Sequence, residues 1–273
     1  MRFEPYRLVA VLTLLVGTVP ASAAPLSYNG GTYTQNFDGL PTNITNPTQT
    51  ITGRGPHEFS AVTAASGLTG WQLGNPSGSS TNTDFRSHNG SLSGSAGRGV
   101  VSYGDNGSTE RALGFLPTSN QISQFGLVLT NNTGATIQAF ELSFTGEQWR
   151  RGDVATPDTL TFAYGLGNDL NASLTDAAAL TFSSPNTQLA PTEVALNGNA
   201  LLNQVLKSAT ITGLNWQDGQ NLVLRWRVAD ISGQDDGLAI DNLSFAAVPE
   251  PAACLLGVLG ACGSLLIVRR SRR

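Results

Sequence analysis

The segment Asp235-Asp236-Gly237-Leu238-Ala239-Ile240-Asp241-Asn242 places four oxygen-bearing side chains within eight residues, with a glycine where the chain could turn sharply. Calcium takes about six to eight oxygen ligands from carboxylates, amides and carbonyls. Asp235, Asp236, Asp241 and Asn242 are therefore candidate ligands. The D-x-D-x-D-G spacing of an EF-hand is absent. A second reading competes: Asp235-Asp236 forms a solvated turn, and Asp241 accepts hydrogen bonds from loop backbone at a bulge. The other stretch with chemical content is TGEQWRRGD, Thr145 to Asp153. An exposed Trp149 beside Glu147 and Arg150 would grip a sugar ring by stacking and paired hydrogen bonds. Alternatively, Trp149 belongs to a core and Glu147–Arg150 is a structural pair at a strand end.

Catalysis finds little footing. The two histidines, His57 and His88, both fall in polar stretches. H-E-x-x-H, G-x-S-x-G and GK[ST] do not occur. The strand motif E-x-D-x-x-E, which would pair carboxylates for glycoside hydrolysis, is also missing, and Glu141 and Glu147 stand six apart. The expectation is a protein that is not an enzyme.

The elements that must position these residues read as strands. AFELSFTG alternates Phe140, Leu142 and Phe144 with polar neighbours. TLTFAYG alternates Leu160, Phe162 and Tyr164, and NLVLRWRVAD alternates Leu222, Leu224, Trp226 and Val228. A period of two with one polar face predicts antiparallel strands on a core. LAIDNLSF changes phase between Ile240 and Leu243, which predicts a bulge near Asp241. Trp71 and Trp226 read as core, and Trp216 as a residue capping the turn at Asp218-Gly219. Asn75–Gly99 reads as surface loop. Ala177–Leu180 and Val194–Leu206 hint at short helices. Many strands, frequent turn residues and few helices predict an all-β fold, an antiparallel β-sandwich of jelly-roll form. In such a fold the first and last strands run close together, which would bring Asp38 to Asp241 and adds Asp38 to the candidate calcium ligands.

Charge and cysteine content narrow the class further. Of 273 residues only 12% are charged, about half the usual share. Between Pro25 and Ala247, nine basic residues face seventeen acidic ones, a balance of −8. That excludes electrostatic nucleic-acid binding, which needs clustered Lys and Arg, and it suits a cation. The only cysteines, Cys254 and Cys262, lie near the C-terminus, so the body forms no internal disulfide and relies on its core.

Both ends read as addresses. Residues 1–24 have the form of a secretory signal peptide for the Sec export machinery. Arg2 and Arg7 precede the apolar run Leu8–Val19, and Ala21-Ser22-Ala23 offers a cleavage site. Ala252–Val268 is an uncharged run of 17 residues. As a helix it spans about 26 Å, near the minimum for crossing a bilayer. Arg269, Arg270, Arg272 and Arg273 then flank the membrane on the cytoplasmic side. A plain single-pass anchor would show the same run and cluster.

Val248-Pro249-Glu250-Pro251, the apolar run and the Arg cluster together resemble a PEP-CTERM sorting signal over residues 248–273. The resemblance implies an exported protein of a Gram-negative, exopolysaccharide-making bacterium. It implies an exosortase-type processing enzyme as partner, an inner-membrane-anchored precursor with the transmembrane helix at 252–268, and a final place at the cell surface or outside. The body, 25–247, resembles a concanavalin- or MAM-like jelly roll through FDGL (Phe37–Leu40), Gly70-Trp71, FELSF, LVLRWRV and DDGLAIDNLSF, without the MAM cysteines. The resulting expectation is a non-catalytic structural or adhesive protein of the cell envelope or exopolysaccharide matrix. The alternatives are a calcium-assisted, lectin-like glycan-binding module with Glu147, Trp149 and Arg150 at its site, and a polysaccharide-acting enzyme.

Overall fold

The computed structural model describes residues 24–42, 49–153, 156–188 and 193–248. Residues 1–23, nearly all of the expected signal peptide, lie outside the described residues, as do Pro249, Glu250 and Pro251, the apolar run 252–268 and the terminal arginines. Among the described residues no helix is long and apolar enough to cross a membrane.

The described chain is all-β, built from two sheets. The first holds β1 (Leu26–Tyr28), β4 (His57–Glu58), β5 (Trp71–Ser77), β9 (Ile122–Asn131), β11 (Thr159–Leu166), β12 (Thr175–Asp176), β13 (Phe182–Ser183) and β16 (Asn221–Val228). Its order is β12-β11-β16-β9-β5-β4, with β1 also on β9 and β13 on β11. The second holds β2 (Thr32–Gln35), β3 (Gln49–Ile51), β6 (Thr83–His88), β7 (Gly99–Tyr103), β8 (Ala112–Leu116), β10 (Ile137–Arg151), β14 (Val194–Ala195), β15 (Gln204–Trp216) and β17 (Gly237–Ala247). Its order is β14-β10-β17-β8-β7-β6-β3, with β15 on β10 and β2 on β17.

The main core lies between the sheets. The inward alternations of β10, β11, β16 and β17 supply Phe140, Leu142, Phe144, Leu160, Phe162, Leu222, Leu224, Trp226, Leu238, Ile240 and Phe245. Trp71 stacks on Trp226 with ring centroids 5.9 Å apart. Trp216 is buried and its indole N–H donates to the Gln220 carbonyl at 2.8 Å, closing the turn before β16. The predicted bulge is present. Phe144 of β10 faces the step from Asp241 to Ser244, so β17 carries an extra residue there. Asn242 occupies it at φ +51°, a left-handed conformation that Asn tolerates better than most residues.

Three features differ from the sequence reading. Two strand pairs are parallel, β1 with β9 and β6 with β7. Asn75–Gly99 is not simply a loop: β6 runs through it, with Phe85 fully buried. Its polar residues are spent internally. The Arg86 guanidinium donates to the carbonyls of Arg98, Ala96 and Ser95, clamping the crossover that the parallel β6–β7 pair requires. The helices expected at Ala177–Leu180 and Val194–Leu206 reduce to 3-10 turns at Ala178–Leu180 and Leu201–Asn203, and the second stretch otherwise carries β14 and the start of β15.

The second strand, not the first, meets the last: β2 pairs antiparallel with β17, Gln35 opposite Leu243, while β1 lies on β9 in the other sheet. β17 is therefore internal to its sheet, bonded to β10 on one edge and to β8 and β2 on the other.

Candidate functional site

The two stretches singled out in the sequence become neighbours by register. Thr145 of β10 stands opposite Asp241 of β17. Glu147, two residues along, projects from the same face and meets Asp241 diagonally. On the other side β8 pairs Leu113 with Ile240. One step on, Asp241 is level with Ala112, two residues from Glu110. The carboxylates of Glu110, Glu147 and Asp241 converge, each offering an oxygen within 4.8 Å of the others. They sit on the sheet face opposite the main core, beside a small apolar cluster of Val101, Tyr103, Ala112, Leu116, Trp149 and Ala239.

Glu147 is fully buried, Asp241 is 4% exposed and Glu110 is half-buried. Neutral donors fix most of their oxygens. The Trp149 indole N–H donates to Glu147 Oε2 at 2.8 Å, and the Gln204 amide to Oε1 at 3.3 Å. Asn199 donates to Glu110 Oε2 at 2.5 Å and Asn242 to Asp241 Oδ2 at 2.7 Å. Glu110 Oε1 and Asp241 Oδ1 are buried with no hydrogen-bond partner among the described residues. Among the described residues, no Arg, Lys or His nitrogen lies within 4.0 Å of any of the three carboxylates. Burial, reinforced by the Glu110 charge, pushes the Glu147 carboxyl up to about 7 against the hydrogen bonds from Trp149 and Gln204. Burial first, then Glu147, Glu110 and Asp38, push Asp241 up to about 8, with Asn242 opposing. Such a group of uncompensated carboxylates either shares protons or holds a cation.

The five expected calcium ligands do not assemble. Asp38 is exposed, held by Asn36 at 2.5 Å, and reaches Asp241 only as the weakest contributor to its raised pKa. Asn242 acts as a donor to Asp241. Asp235 and Asp236 precede β17 and bind backbone instead: Asp235 Oδ1 accepts from Ile231 N–H at 3.1 Å and Asp236 Oδ1 from Gly152 N–H at 2.6 Å. The Asp236 N–H in turn donates to Asp158 Oδ2. Backbone donors thus took the carboxylates that composition alone had offered to an ion.

The sugar-gripping arrangement does not form. Trp149 is fully buried, stacked on Tyr103 with centroids 6.1 Å apart. Gly198 lies against its indole so closely that a Cβ there would come to 2.2 Å from Nε1. Arg150, 2% exposed, does not pair with Glu147; its Nη1 donates to the Gly90 carbonyl at 3.0 Å and its Nη2 lies 2.9 Å from Glu193 Oε2. A bulge in β10 between Gln148 and Arg150 separates the pair: Glu147 stands opposite Ala239 and Arg150 opposite Gly237, two residues along β17, where Gly90 and Glu193 take up its guanidinium. Glu110 had no sequence signal, because it stands in a turn-rich stretch far from either motif.

The histidines are also committed. His88 accepts the Gly90 N–H at Nδ1 (3.0 Å) and meets the Gly97 carbonyl through Nε2 (3.2 Å). Burial lowers its pKa to about 4, against that carbonyl contact. His57 Nε2 lies 3.0 Å from the Gly53 carbonyl. A polar cavity of about 350 Å³ opens beside Arg150, lined in part by Ser95, Thr118, Asn120, Asp230 and Asp235.

No family model matches the sequence, and no curated protein does. Among solved structures, the carbohydrate-binding module TmCBM61 in complex with β-1,4-galactotriose is similar over 65% of this chain and 88% of its own, at 9% identity and a TM-score of 0.32. The K3 cleaved adhesin domain of Lys-gingipain from Porphyromonas gingivalis covers 65% of this chain and 92% of its own, at 11% identity and a TM-score of 0.36. The enzymatically active domain of bacteriophage CBA120 tailspike protein 4 covers 66% of this chain at 13% identity and a TM-score of 0.34, and only 20% of that chain is matched. Similarity this slight carries neither activity nor ligand across.

Proposed function

We propose that the chain is an exported, surface-sorted, non-catalytic structural or adhesive protein of the cell envelope or exopolysaccharide matrix, with a jelly-roll body. One observation supports the non-catalytic part best: the residues suited to chemistry are already occupied. All four tryptophans are at most 1% exposed, and both histidines bind backbone carbonyls. Glu147, the carboxyl best placed for acid–base work, is sealed from any polymer. The sorting part rests on the sequence pattern of residues 248–273, with an exosortase-type enzyme and, transiently, the membrane as partners. Intact-mass measurement of the protein recovered from cells tests it. Loss of residues 1–24 and of the apolar tail, with the body at the surface, is the expected result. A cytosolic chain with its leader intact would sink the reading. Release of sugars from exopolysaccharide by the purified protein would sink the non-catalytic part.

The polar cavity beside Arg150 favours a second reading, a glycan-binding module. At about 350 Å³ it is in the range of small-ligand sites. It has no aromatic ring in its lining for a sugar to stack on, which ranks this reading below the first. Glycan binding lost on Asn120→Ala would reverse that order.

A further inference from the structure

We propose that Glu110, Glu147 and Asp241 form a calcium site that ties β8, β10 and β17 together on the outer face of the second sheet. The site is distinct from the ligand set read from the sequence, sharing only Asp241 with it, and it stands independently of the proposed surface role.

The geometry is that of one ion. Calcium–oxygen distances are about 2.3–2.6 Å, so two ligands on opposite sides of one ion stand about 4.6–5.2 Å apart and adjacent ones closer. Three carboxylate oxygens within 4.8 Å of one another satisfy that spacing. Asp241, all but 4% buried, keeps Oδ1 without a partner, and Glu110 Oε1 is likewise buried and free. Their second oxygens are held by Asn242 and Asn199, so each free oxygen is oriented and left over. Leaving such an acceptor unsatisfied in the fold is costly.

The donors that orient the carboxylates are all neutral: two asparagines, a glutamine and an indole. A structural carboxylate cluster is normally balanced by Arg or Lys. Here, among the described residues, no cationic side chain lies within 4.0 Å of the three carboxylates. The negative charge is thereby kept for a small ion, and the outer donors fix the ligands as second partners do around bound metals. An all-oxygen set without His or Cys excludes a preference for zinc or copper. Magnesium prefers to keep several waters and to use one or two carboxylates, which the burial of Glu147 and Asp241 disfavours. Calcium accepts three carboxylates at this spacing and completes its shell with carbonyls or water. Asn199, exposed and bonded to Glu110, marks the side from which an ion enters.

The test is equilibrium dialysis of the full-length protein, in detergent, against calcium chloride, with melting curves in calcium and in excess chelator. One calcium per chain and a higher melting temperature in calcium are expected. Glu110→Gln should weaken calcium binding at least tenfold while the far-ultraviolet circular dichroism is unchanged, because the half-buried amide can keep its bond to Asn199. Asp241→Asn should abolish binding, and Asp235→Asn should leave the affinity within twofold. Superimposable melts with no retained calcium would overturn the site and leave proton sharing as the state of the cluster. Normal binding by Glu110→Gln, or loss confined to Asp235→Asn, would overturn the assigned ligands. Retention of magnesium but not calcium would overturn the ion. If Asp241→Asn does not fold, Glu110→Gln alone decides.

Discussion

The protein buries two groups of carboxylates, and they are used in opposite ways. Around the loop ahead of β17, each buried acid takes a backbone donor, Asp235 from Ile231, Asp236 from Gly152 and Asp158 from Asp236, and the exposed Asp153 adds one from Gln234. These bonds lace the segment after β10 to the segment before β17. In the Glu110–Glu147–Asp241 group the donors are chiefly neutral side chains, with the Asn242 backbone adding to Asp241, and an oxygen of each acid comes within 4.8 Å of the other two. Burial raises the pKa of Asp158, Asp235 and Asp236 in the first group, as it does Glu147 and Asp241 in the second. A perturbed pKa therefore does not separate a ligand from a lace. The convergence of the acids does: in the lace each carboxylate answers a backbone N–H that completes the fold, whereas three carboxylates brought within 4.8 Å of one another among neutral donors leave their charge unanswered.

Substitutions can break this contrast. Trp149→Ala should have the largest effect, a loss of about 3–5 kcal/mol typical of removing a buried Trp. It also frees Glu147 Oε2, so calcium binding should weaken together with the denaturant midpoint. A variant of wild-type stability would mean that the cluster around Tyr103 collapses without cost. Next, Asp236→Ala should cost about 1–3 kcal/mol, because the buried Gly152 N–H loses its acceptor. Urea melts in calcium and in chelator should show the same loss; rescue by calcium would place an ion in the lace as well.

A pH series sharpens the comparison. Burial, with the Asp236 and Asp230 charges adding and the bond from the Asp236 N–H opposing, raises Asp158 to about 7, against about 3.9 in an unfolded chain. The folded protein then keeps a proton that the unfolded chain releases. Stability is fully present below about pH 4 and falls as pH rises toward 7, by at most about 1.4 kcal/mol per pH unit for one such group. Asp158→Asn should make the slope shallower, in calcium and in chelator alike; an unchanged slope would remove Asp158 as a source. The smallest effect is that of Glu110→Gln in chelator, within about 1 kcal/mol of wild type, since it removes like-charge repulsion and keeps the Asn199 bond. A larger loss would make Glu110 structural.

Much of the fold was legible because its long strands alternate. The Phe140–Phe144 pattern, the Leu222–Val228 pattern and the phase change after Ile240 each reappear as β10, β16 and the bulge at Asn242. β6 was not legible, because Asp84, Arg86 and Ser87 look solvated in sequence yet answer backbone carbonyls and neighbouring polar groups across the sheet. β15 was missed for the opposite reason: it is a largely exposed strand with no apolar alternation to read. Two of the three site residues were visible. Asp241 and Glu147 stood out, but under separate chemistries, because only pairing between strands joins them. Glu110 enters through the register of β8 against β17, which no local spacing encodes.

The place of β17 has a consequence for biosynthesis. The final strand of the body bonds three others and supplies Leu238, Ile240, Leu243 and Phe245 to the core. A ribosome that stops anywhere before Gly237 releases a polypeptide without the strand that joins β10 to β8 and β2, so the larger sheet is completed only by the last stretch of the body to be synthesised.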